Sequence, residues 1–228
     1  MFITIDYTAA VRQRAGVGRY TRNLVQALAG LDRDNDYRLF VAGEPPAGDW
    51  PPNFSVRATR VPARVLTAGW HKLRLPVPVE RLSGASDIFH SPDFTLPPLD
   101  KARAVVTIHD LSFLKLPQYA DPGLREYLTA RTPDAAARAS RILADSENTR
   151  QDVIDLLKVP PEKVSVVYAG VEPRFRPVRD PAQLQAVRQR YQLPELFVLF
   201  VGTIEPRKNL GRLISAYAEM RRQTGLPH

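Results

Sequence analysis

The chain has 228 residues, 44% of them hydrophobic and 25% charged, which suits one large folded α/β domain, or one domain and part of a second, rather than a disordered chain. Its formal charge of +8 fits nucleic acid, an anionic membrane and phosphorylated substrates equally well, so charge alone selects no partner. The sequence has no cysteine, which excludes disulfides, a thiol nucleophile and a zinc–thiolate site, and it shows neither a secretory signal nor an apolar run that approaches the ~20 residues of a membrane span.

Eight short apolar or alternating runs predict β-strands along the chain. Helical patterns over Tyr20–Leu31, Leu124–Ala139 and Val153–Leu157 separate several of these runs. Strands that alternate with helices indicate right-handed crossovers and a doubly wound, mostly parallel sheet with helices on both faces. The predicted strands are Phe2–Ile5, Tyr37–Val41, Phe54–Ala58, Asp87–His90, Ala104–Ile108, Ile142–Ala144, Val164–Val167 and Leu196–Val201.

A proline-rich stretch divides the chain into three parts. We predict one domain over residues 1–170 and an interdomain linker over residues 171–194, which lacks a strand-like run. Residues 195–228 then supply one strand and one helix, the first βα unit of a second, incomplete domain. The apolar face of that last helix would be left without its sheet.

A basic segment over Arg57–Arg81 carries seven cationic or histidine side chains against one acid, Glu80, with Leu66, Trp70, Leu73 and Leu75 interleaved. It suits either a surface that meets an anionic membrane or a lipid-linked diphosphate, or a solvated face with Trp70 packed inward. No aromatic platform or known reader motif supports nucleic-acid binding, so we expect no nucleic-acid partner.

The first strand leads into a glycine-containing loop, Gly16 to Gly18, that precedes a helix. The N-terminus of this helix would attract phosphate, and Arg19 adds a positive charge. Alternatively, the glycines only allow positive φ angles in a turn. No phosphate-binding loop of the nucleotidase type follows in the sequence.

His109 and Asp110 follow the strand Ala104–Ile108. Ligands of open α/β sheets bind beyond the carboxyl ends of the strands, so His109 is placed to donate a hydrogen bond to a substrate or to bind a charged group. It could equally anchor a loop through backbone groups. His90, at the end of another strand, suits packing or a turn.

The pair Arg207 and Lys208 precedes Asn209, a candidate N-cap, and an amphipathic helix. Two cations beside a helix N-terminus after a strand indicate a diphosphate clamp. A basic pair without that context is usually a solvated surface feature.

In their order, these segments resemble the GT-B glycosyltransferases of family 4, and most closely a bacterial mannosyltransferase-like branch. The matching stretches, which span most of the chain, are AGVGRYTRNLVQAL, FHSPDFTLPP, VVTIHDLSFLKLPQY, ADSENTRQDVIDLLKVPPEKVSVVYAGVEPRFRP and FVGTIEPRKNLGRLISAYAEM.

The resemblance implies two Rossmann-like domains, the first binding the acceptor and the second most of a nucleotide sugar. It implies that His109 is catalytic, beside the transferred sugar, and that the donor is bound by Gly16, Gly18, Arg207 and Lys208. We assign Arg19, Tyr20 and Asp110 to the acceptor. Thr203 stands where many members carry an arginine, a charge that we expect Arg207 to replace. The family's E-x7-E element corresponds to no residue here, so we expect a truncated segment that is inactive alone.

The expected function is transfer of a hexose, in the first place mannose, with retention, from a nucleotide sugar such as GDP-mannose to a glycan or lipid-linked acceptor in polysaccharide or glycolipid assembly. By resemblance, no metal or other cofactor is needed, because protein cations stabilise the leaving diphosphate. We expect a cytoplasmic location with a peripheral contact to the anionic inner face of the membrane. The alternative is an inactive fragment that binds an anionic acceptor, a membrane or a partner chain.

Overall fold

The structure, a computed structural model, describes residues 1–14 and 16–225. The chain divides into two units, one formed by Met1–Pro117 and Asp121–Gly170, the other by Gln118–Ala120 and the residues from Val171 onward. Each unit is described by itself. The assignment of residues 195–228 to the start of a second domain stays a proposal.

The first unit is built on a parallel sheet of seven strands. Seven of the eight predicted strands are thereby confirmed, in the spatial order β3-β2-β1-β4-β5-β6-β7. The order reverses between β1 and β4, which is the point where doubly wound sheets bind ligands. The strands are β1 (Phe2–Asp6), β2 (Asp36–Ala42), β3 (Phe54–Thr59), β4 (Ile88–Ser91), β5 (Arg103–Ile108), β6 (Arg141–Ala144) and β7 (Val164–Val166).

Both faces of this sheet are buried. The neighbouring residues Leu39 and Phe40 of β2 point to opposite faces, yet their exposed fractions are 0% and 1%. Strands that are covered on both sides read as continuous apolar runs, and this pattern made them recognisable in the sequence. The predicted doubly wound α/β fold, Rossmann-like in its layers, is therefore confirmed.

The helices of this unit connect the strands. The predicted helices are confirmed as α2, α6 and α7; Asp121 and Ser146 cap the last two by accepting hydrogen bonds from the backbone N–H groups of Leu124 and Thr149. The α-helices among its described residues are α1 (Thr8–Arg12), α2 (Val17–Leu31), α3 (Ala63–Thr67), α4 (Glu80–Ser83), α5 (Ser112–Lys115), α6 (Pro122–Arg138) and α7 (Glu147–Leu157), and a π-helix over Ala68–Lys72 directly follows α3.

The register of the sheet decides which residues meet at its carboxyl edge. Ile108 of β5 pairs with Ala144 of β6, so the residues that follow them, His109 and Asp145, leave the sheet side by side. Ile5 of β1 pairs with His90 of β4, which brings Asp6 level with the end of β4. The chemistry-bearing side chains of the first unit collect at this edge.

Within the described residues of the second unit there are two α-helices, α8 (Pro181–Tyr191) and α9 (Leu210–Thr224). The predicted strand at Leu196–Val201 is wrong, because the structure forms no strand there and leaves Leu199 and Val201 72% and 83% exposed. A strand needs a hydrogen-bonded neighbour, and the described residues of this unit offer none. The predicted linker contains α8, which begins at Pro181 after the N-cap Asp180.

Among residues 1–14 and 16–225, no helix has both the length and the apolar character needed to cross a membrane.

Candidate functional site

The predicted catalytic residue, His109, lies directly after β5 with its imidazole held at both nitrogens. Nδ1 is 2.7 Å from Oδ2 of Asp145, and Nε2 is 2.9 Å from the carbonyl oxygen of Pro92. A carbonyl and an ionised carboxylate can only accept hydrogen bonds, so both nitrogens carry a proton. The ring is therefore an imidazolium cation.

The surroundings of His109 agree with this protonation state. Burial lowers the pKa of His109, but the hydrogen bond and charge of Asp145, the carbonyl of Pro92 and the charge of Asp93 outweigh it and raise the pKa above its ordinary value. The side chain of His109 is 14% exposed and that of Asp145 27%. Water screens such a pair less than it screens a surface pair.

The hydrogen bonds of His109 concern its two predicted roles, which are contact with a substrate and the anchoring of a loop. Both of its N–H groups are used within the protein, so in this structure no N–H group remains to donate to a substrate. The bond to Pro92 anchors the loop that follows β4, as the alternative interpretation supposed. What His109 offers a ligand is a fixed positive charge and the surface of its ring.

Aromatic rings hold that imidazolium in place. The ring of Tyr20 meets it edge-on with 4.8 Å between centroids, and the ring of Phe94 does so at 5.5 Å. The hydroxyl of Tyr20 is 3.5 Å from Oγ1 of Thr107, which in turn lies 2.9 Å from Nε2 of His90. The structure thus brings Tyr20, proposed for the acceptor, next to His109.

His90 is confirmed as a packing residue. It is 7% exposed within the sheet, and burial, with a contribution from the charge of His109, lowers the pKa of His90 to about 4. The ring is therefore neutral at physiological pH and serves the hydrogen bond to Thr107.

The two glycines of the first loop have different structural roles. Gly16 is the N-cap of α2 with φ +57°, a conformation that L-residues rarely adopt. Gly18 is buried, and a Cβ atom there would lie 2.6 Å from the carbonyl oxygen of Ala9 and closer still to that of Gln13. Both glycines thus have structural reasons to be glycine, and their donor-binding role stays a prediction.

Arg22, which was not predicted as a site residue, holds the loop before α2 through hydrogen bonds. The guanidinium of Arg22 donates to the carbonyl oxygens of Ala10, Gln13 and Arg14, at 2.7 Å for Gln13 and 3.0 Å for Arg14. Arg19, predicted as an acceptor residue, is half-buried in the first turn of α2. Tyr20 also belongs to the first turn of α2 and its ring contacts that of His109, so the N-terminus of α2 lies next to the imidazolium.

Asp110 is explained by local structure. Its Oδ1 accepts a hydrogen bond of 2.8 Å from the backbone N–H of Ser112 at the start of α5, and the residue is exposed. Such a turn is a common use of aspartate before a helix. Its proposed role toward the acceptor remains a prediction.

Arg207 and Lys208 belong to the second unit. They form a 3₁₀ turn, Pro206–Lys208, before α9, and Asn209 adopts a left-handed conformation with φ 51°. Arg207 makes an ion pair of 2.8 Å with Glu205, while Lys208 is exposed. Asn209 precedes α9 as predicted, but its side chain makes no capping hydrogen bond.

Three acidic residues at the carboxyl edge of the sheet were not predicted as site residues. Asp6 ends β1, Asp93 comes two residues after β4, and Asp145 directly follows β6. The signal was available, because each follows a predicted strand as His109 does, and the carboxyl ends of parallel strands share one edge. Among the described residues, no group of three or more histidine and acidic side chains converges as a metal site.

The chain matches a known family and individual proteins over part of its length. The O-antigen chain mannosyltransferase B of Escherichia coli is 34% identical over 131 residues, which are 57% of this chain and 34% of that protein. A D-inositol 3-phosphate glycosyltransferase of Salinispora arenicola (strain CNS-205) is 36% identical over 127 residues, 52% of this chain and 28% of that protein. The chain thus matches only about a third of each relative.

Among solved structures, Anabaena Alr3699/HepE in complex with UDP and glucose aligns with 84% of this chain and 50% of its own, with 13% identity and a TM-score of 0.48. The sequence model of Glycosyltransferase Family 4 matches residues 14–175, well over half of the chain. The chain therefore belongs to glycosyltransferase family 4.

Proposed function

We propose that this chain serves the transfer of a hexose, in the first place mannose, from a nucleotide sugar such as GDP-mannose to a glycan or lipid-linked acceptor. The observation that carries the proposal is the imidazolium of His109, which is held at the carboxyl edge of the sheet beside the first turn of α2 in a family 4 chain. Retention of the anomeric configuration and a role in polysaccharide or glycolipid assembly belong to the same proposal.

The chemistry needs positive charge near the leaving group. Transfer breaks the bond between the anomeric carbon and the diphosphate, and negative charge grows on the diphosphate oxygens. Fixed cations and helix N-termini stabilise that charge because they need no reorganisation during the reaction. We assign this role to His109, to the N-terminus of α2, and to Arg207 and Lys208. No metal takes part in this proposal.

Mannose is preferred because the E. coli relative that shares 34% identity is named as a mannosyltransferase of the O-antigen chain. That name also supports a glycan acceptor. The cytoplasmic location and the peripheral membrane contact remain part of the proposal. Leu73 is 70% and Leu75 45% exposed beside Lys72 and Arg74, and these residues support the membrane contact.

One observation favours a second candidate, a chain that binds an acceptor, a membrane or a partner chain without transferring a sugar. The segment at Leu196–Val201, which precedes the proposed diphosphate cations, forms no strand in this structure. Such a chain would bind its acceptor, membrane or partner chain but would catalyse no sugar transfer.

The test is a transfer assay of the full-length gene product with radioactive GDP-mannose and mannose oligosaccharides as acceptors. We expect labelled product with a retained anomeric configuration by NMR, and activity that persists in EDTA. Lys208→Ala should lower kcat/KM by about 10²- to 10³-fold, the usual effect of losing one preorganised charge-stabilising group.

Lys101→Ala is the matched control, because Lys101 is an exposed lysine that precedes β5 and so lies at the opposite end of that strand from His109. Full activity in Lys208→Ala would remove Lys208 from the site. Acceptor binding without any transfer from GDP-mannose would favour the second candidate.

A further inference from the structure

Two arginines are neighbours on the face of the sheet that lies opposite to α2. Leu39 of β2 packs in one core with Val25 of α2, so Arg38, the residue before Leu39, points to the other face. Phe40 shares that other face with Arg38, and Arg57 of β3 is level with Phe40. The side chains of Arg38 and Arg57 therefore project from neighbouring strands on the same side of the sheet.

The two guanidinium groups border one small space beside Gly84, the C-cap of α4. A Cβ atom at Gly84 would lie 2.6 Å from Nη1 of Arg38 and 3.5 Å from Nη1 of Arg57. Because glycine has no Cβ atom, that space stays open between the two nitrogens. The two positive charges are therefore close together, beside a backbone position that carries no side chain.

Arg38 is half-buried and its guanidinium has a fixed position. The group lies over the ring of Phe2, 4.3 Å from the ring centroid, and its Nη1 donates to the carbonyl oxygen of Ala85 at 3.1 Å. A guanidinium carries several N–H donors, and the described residues accept only this one bond from it. Arg57 is exposed, and its side chain donates to no residue that the structure describes. Both arginines thus have N–H groups to offer a ligand.

The positive charges of this pair are not neutralised by the protein. No carboxylate of the described chain forms an ion pair with Arg38 or Arg57. Asp36 shares the sheet face with Arg38 but is exposed, and Asp87 accepts the backbone N–H of Phe2 instead. Burial lowers the pKa of Arg38, and the charge of Arg57 lowers it further. Two like charges that are held together without a counter-ion favour the binding of an anion.

The number of charges and donors indicates which anion fits. A phosphate monoester carries about −1.5 to −2 charges at neutral pH and offers three acceptor oxygens. Guanidinium groups bind such oxygens through pairs of parallel N–H bonds. A dianion therefore balances both arginines, whereas a single carboxylate balances only one.

The pair lies away from the candidate site around His109. Arg38 is the third residue of β2, and Gly84 and Ala85 precede β4, so the contacts of Arg38 are near the amino ends of these strands. His109 follows β5 at the carboxyl edge. Binding at this pair of arginines therefore goes beyond the proposed sugar transfer and does not depend on it.

We propose that Arg38 and Arg57 form a binding site for a phosphate group in the monoester form, carried either by a small soluble molecule or by the headgroup of a lipid. Arg38 supplies the fixed contact, because Phe2 and Ala85 already hold its guanidinium. Arg57 approaches the same phosphate from the solvent side, since its side chain is exposed.

The experiment is a titration of this 228-residue chain with inorganic phosphate at low ionic strength, followed by calorimetry and by NMR of the arginine side chains. We expect saturable binding that weakens as salt is added. The Nε–H signals of Arg38 and Arg57 should shift as the site fills. Arg38→Gln and Arg57→Gln should each raise the Kd for phosphate about tenfold or more, the effect of losing one charge-assisted contact.

Arg103→Gln is the matched control and should leave the Kd unchanged. Arg103 is an exposed arginine of β5, and β1 and β4 lie between β5 and β2. Arg57→Gln changes an exposed side chain and should fold normally, so the test does not depend on the half-buried Arg38. Arg57→Lys, which keeps the charge but not the paired donors, should retain more affinity than Arg57→Gln.

Flotation with lipid vesicles distinguishes the two sources of the phosphate. Vesicles of phosphatidylcholine with phosphatidic acid present a phosphate monoester, whereas vesicles with phosphatidylglycerol present only a diester. Binding to the first kind that Arg57→Gln abolishes and Arg103→Gln keeps would assign the site to a lipid headgroup. Binding of inorganic phosphate and glycerol 3-phosphate without such vesicle binding would assign it to a small soluble molecule.

Three results would overturn the proposal. The first is the absence of saturable phosphate binding, and the second is a Kd that is the same for Arg38→Gln, Arg57→Gln and the unchanged chain. The third is an equal loss of affinity in Arg103→Gln, which would mean that the phosphate responds only to the overall positive charge of the chain.

Discussion

At the scale of single residues, the pairing of His109 with Asp145 follows from the register of two neighbouring strands. Ile108 and Ala144 are paired, and each is followed by a side chain that can ionise. The carboxylate then stabilises the imidazolium, and the carbonyl of Pro92 takes up its second N–H. A cation held this way keeps its position when an anionic ligand arrives, which is what preorganised charge stabilisation requires.

The first prediction concerns the change Asp145→Asn. The amide lacks the negative charge that raises the pKa of His109, so that pKa should fall toward or below its ordinary value of 6.5. At pH 6 the free energy of unfolding should fall by about 1.5–3 kcal/mol, the range for hydrogen bonds to charged groups. An NMR titration of the His109 ring and urea unfolding measure the two effects.

The dependence on pH has a definite sign. Because the folded pKa of His109 is raised, its stabilising contribution is fully present below about pH 6.5 and is lost as the pH rises through the folded pKa. The difference between the unchanged protein and Asp145→Asn should therefore shrink at pH 9. Asp155→Asn, an exposed acid on α7, should show neither effect. An unchanged His109 pKa in Asp145→Asn would contradict this account.

At the scale of elements, α1 and α2 approach each other at a glycine. Gly18 lies in the first turn of α2 and faces the carbonyl oxygens of Ala9 and Gln13, one of them in α1 and one just after it. Arg22, one turn further along α2, donates hydrogen bonds to the same stretch of chain. The contact between these two helices therefore depends on the missing Cβ atom.

The second prediction compares two Gly→Ala changes in α2. Gly18→Ala places a Cβ 2.6 Å from the carbonyl oxygen of Ala9, so something must shift, and overpacking of this kind costs about 1–3 kcal/mol. Gly30→Ala meets nothing within 4 Å and should stabilise the protein by about 0.5–1 kcal/mol through helix propensity. Urea unfolding of both variants measures the contrast. A stabilising Gly18→Ala would show that the two helices can separate at little cost.

The strands show which parts of the fold and of the candidate site could be predicted from the sequence. Strands such as Ala104–Ile108 were recognisable because burial on both faces leaves a continuous apolar run. The run Leu196–Val201 has the same appearance, but a strand also needs a hydrogen-bonded neighbour, and a single run carries no information about neighbours. The predicted position of His109 was correct for its edge of the sheet. The pairing of His109 with Asp145, 36 residues away, depends on the register of two neighbouring strands, and no local sequence pattern encodes that register.

At the scale of the whole molecule, burial is unevenly distributed between the two units. The first unit contains side chains without measurable exposure on both faces of its sheet, such as Leu39 and Phe89. Within residues 171–225, by contrast, every residue is at least partly exposed to solvent. Because apolar burial supplies most of the favourable free energy of folding, the two units should differ in their resistance to local opening.

The third prediction uses two helices of equal length. Both α2 and α9 have 15 residues, but α2 buries Gly18, Thr21 and Val25, whereas α9 buries no residue. A helix of this length is marginal in water without packing. Amides of α9 should therefore exchange with a protection below about 2 kcal/mol, while amides in the middle of α2 and in β5 approach the global free energy of unfolding.

Hydrogen exchange followed by mass spectrometry measures this difference within one sample, so α2 serves as an internal control for pH and temperature. A further check is a truncation after Gly170, which should leave the exchange of β5 and α2 unchanged if the first unit folds by itself. Protection of α9 equal to that of α2 would mean that its apolar face, including Leu213 and Ile214, is covered in solution. The second unit would then be stabilised by contacts of that face, whose Leu213 and Ile214 are 42% and 67% exposed in this structure.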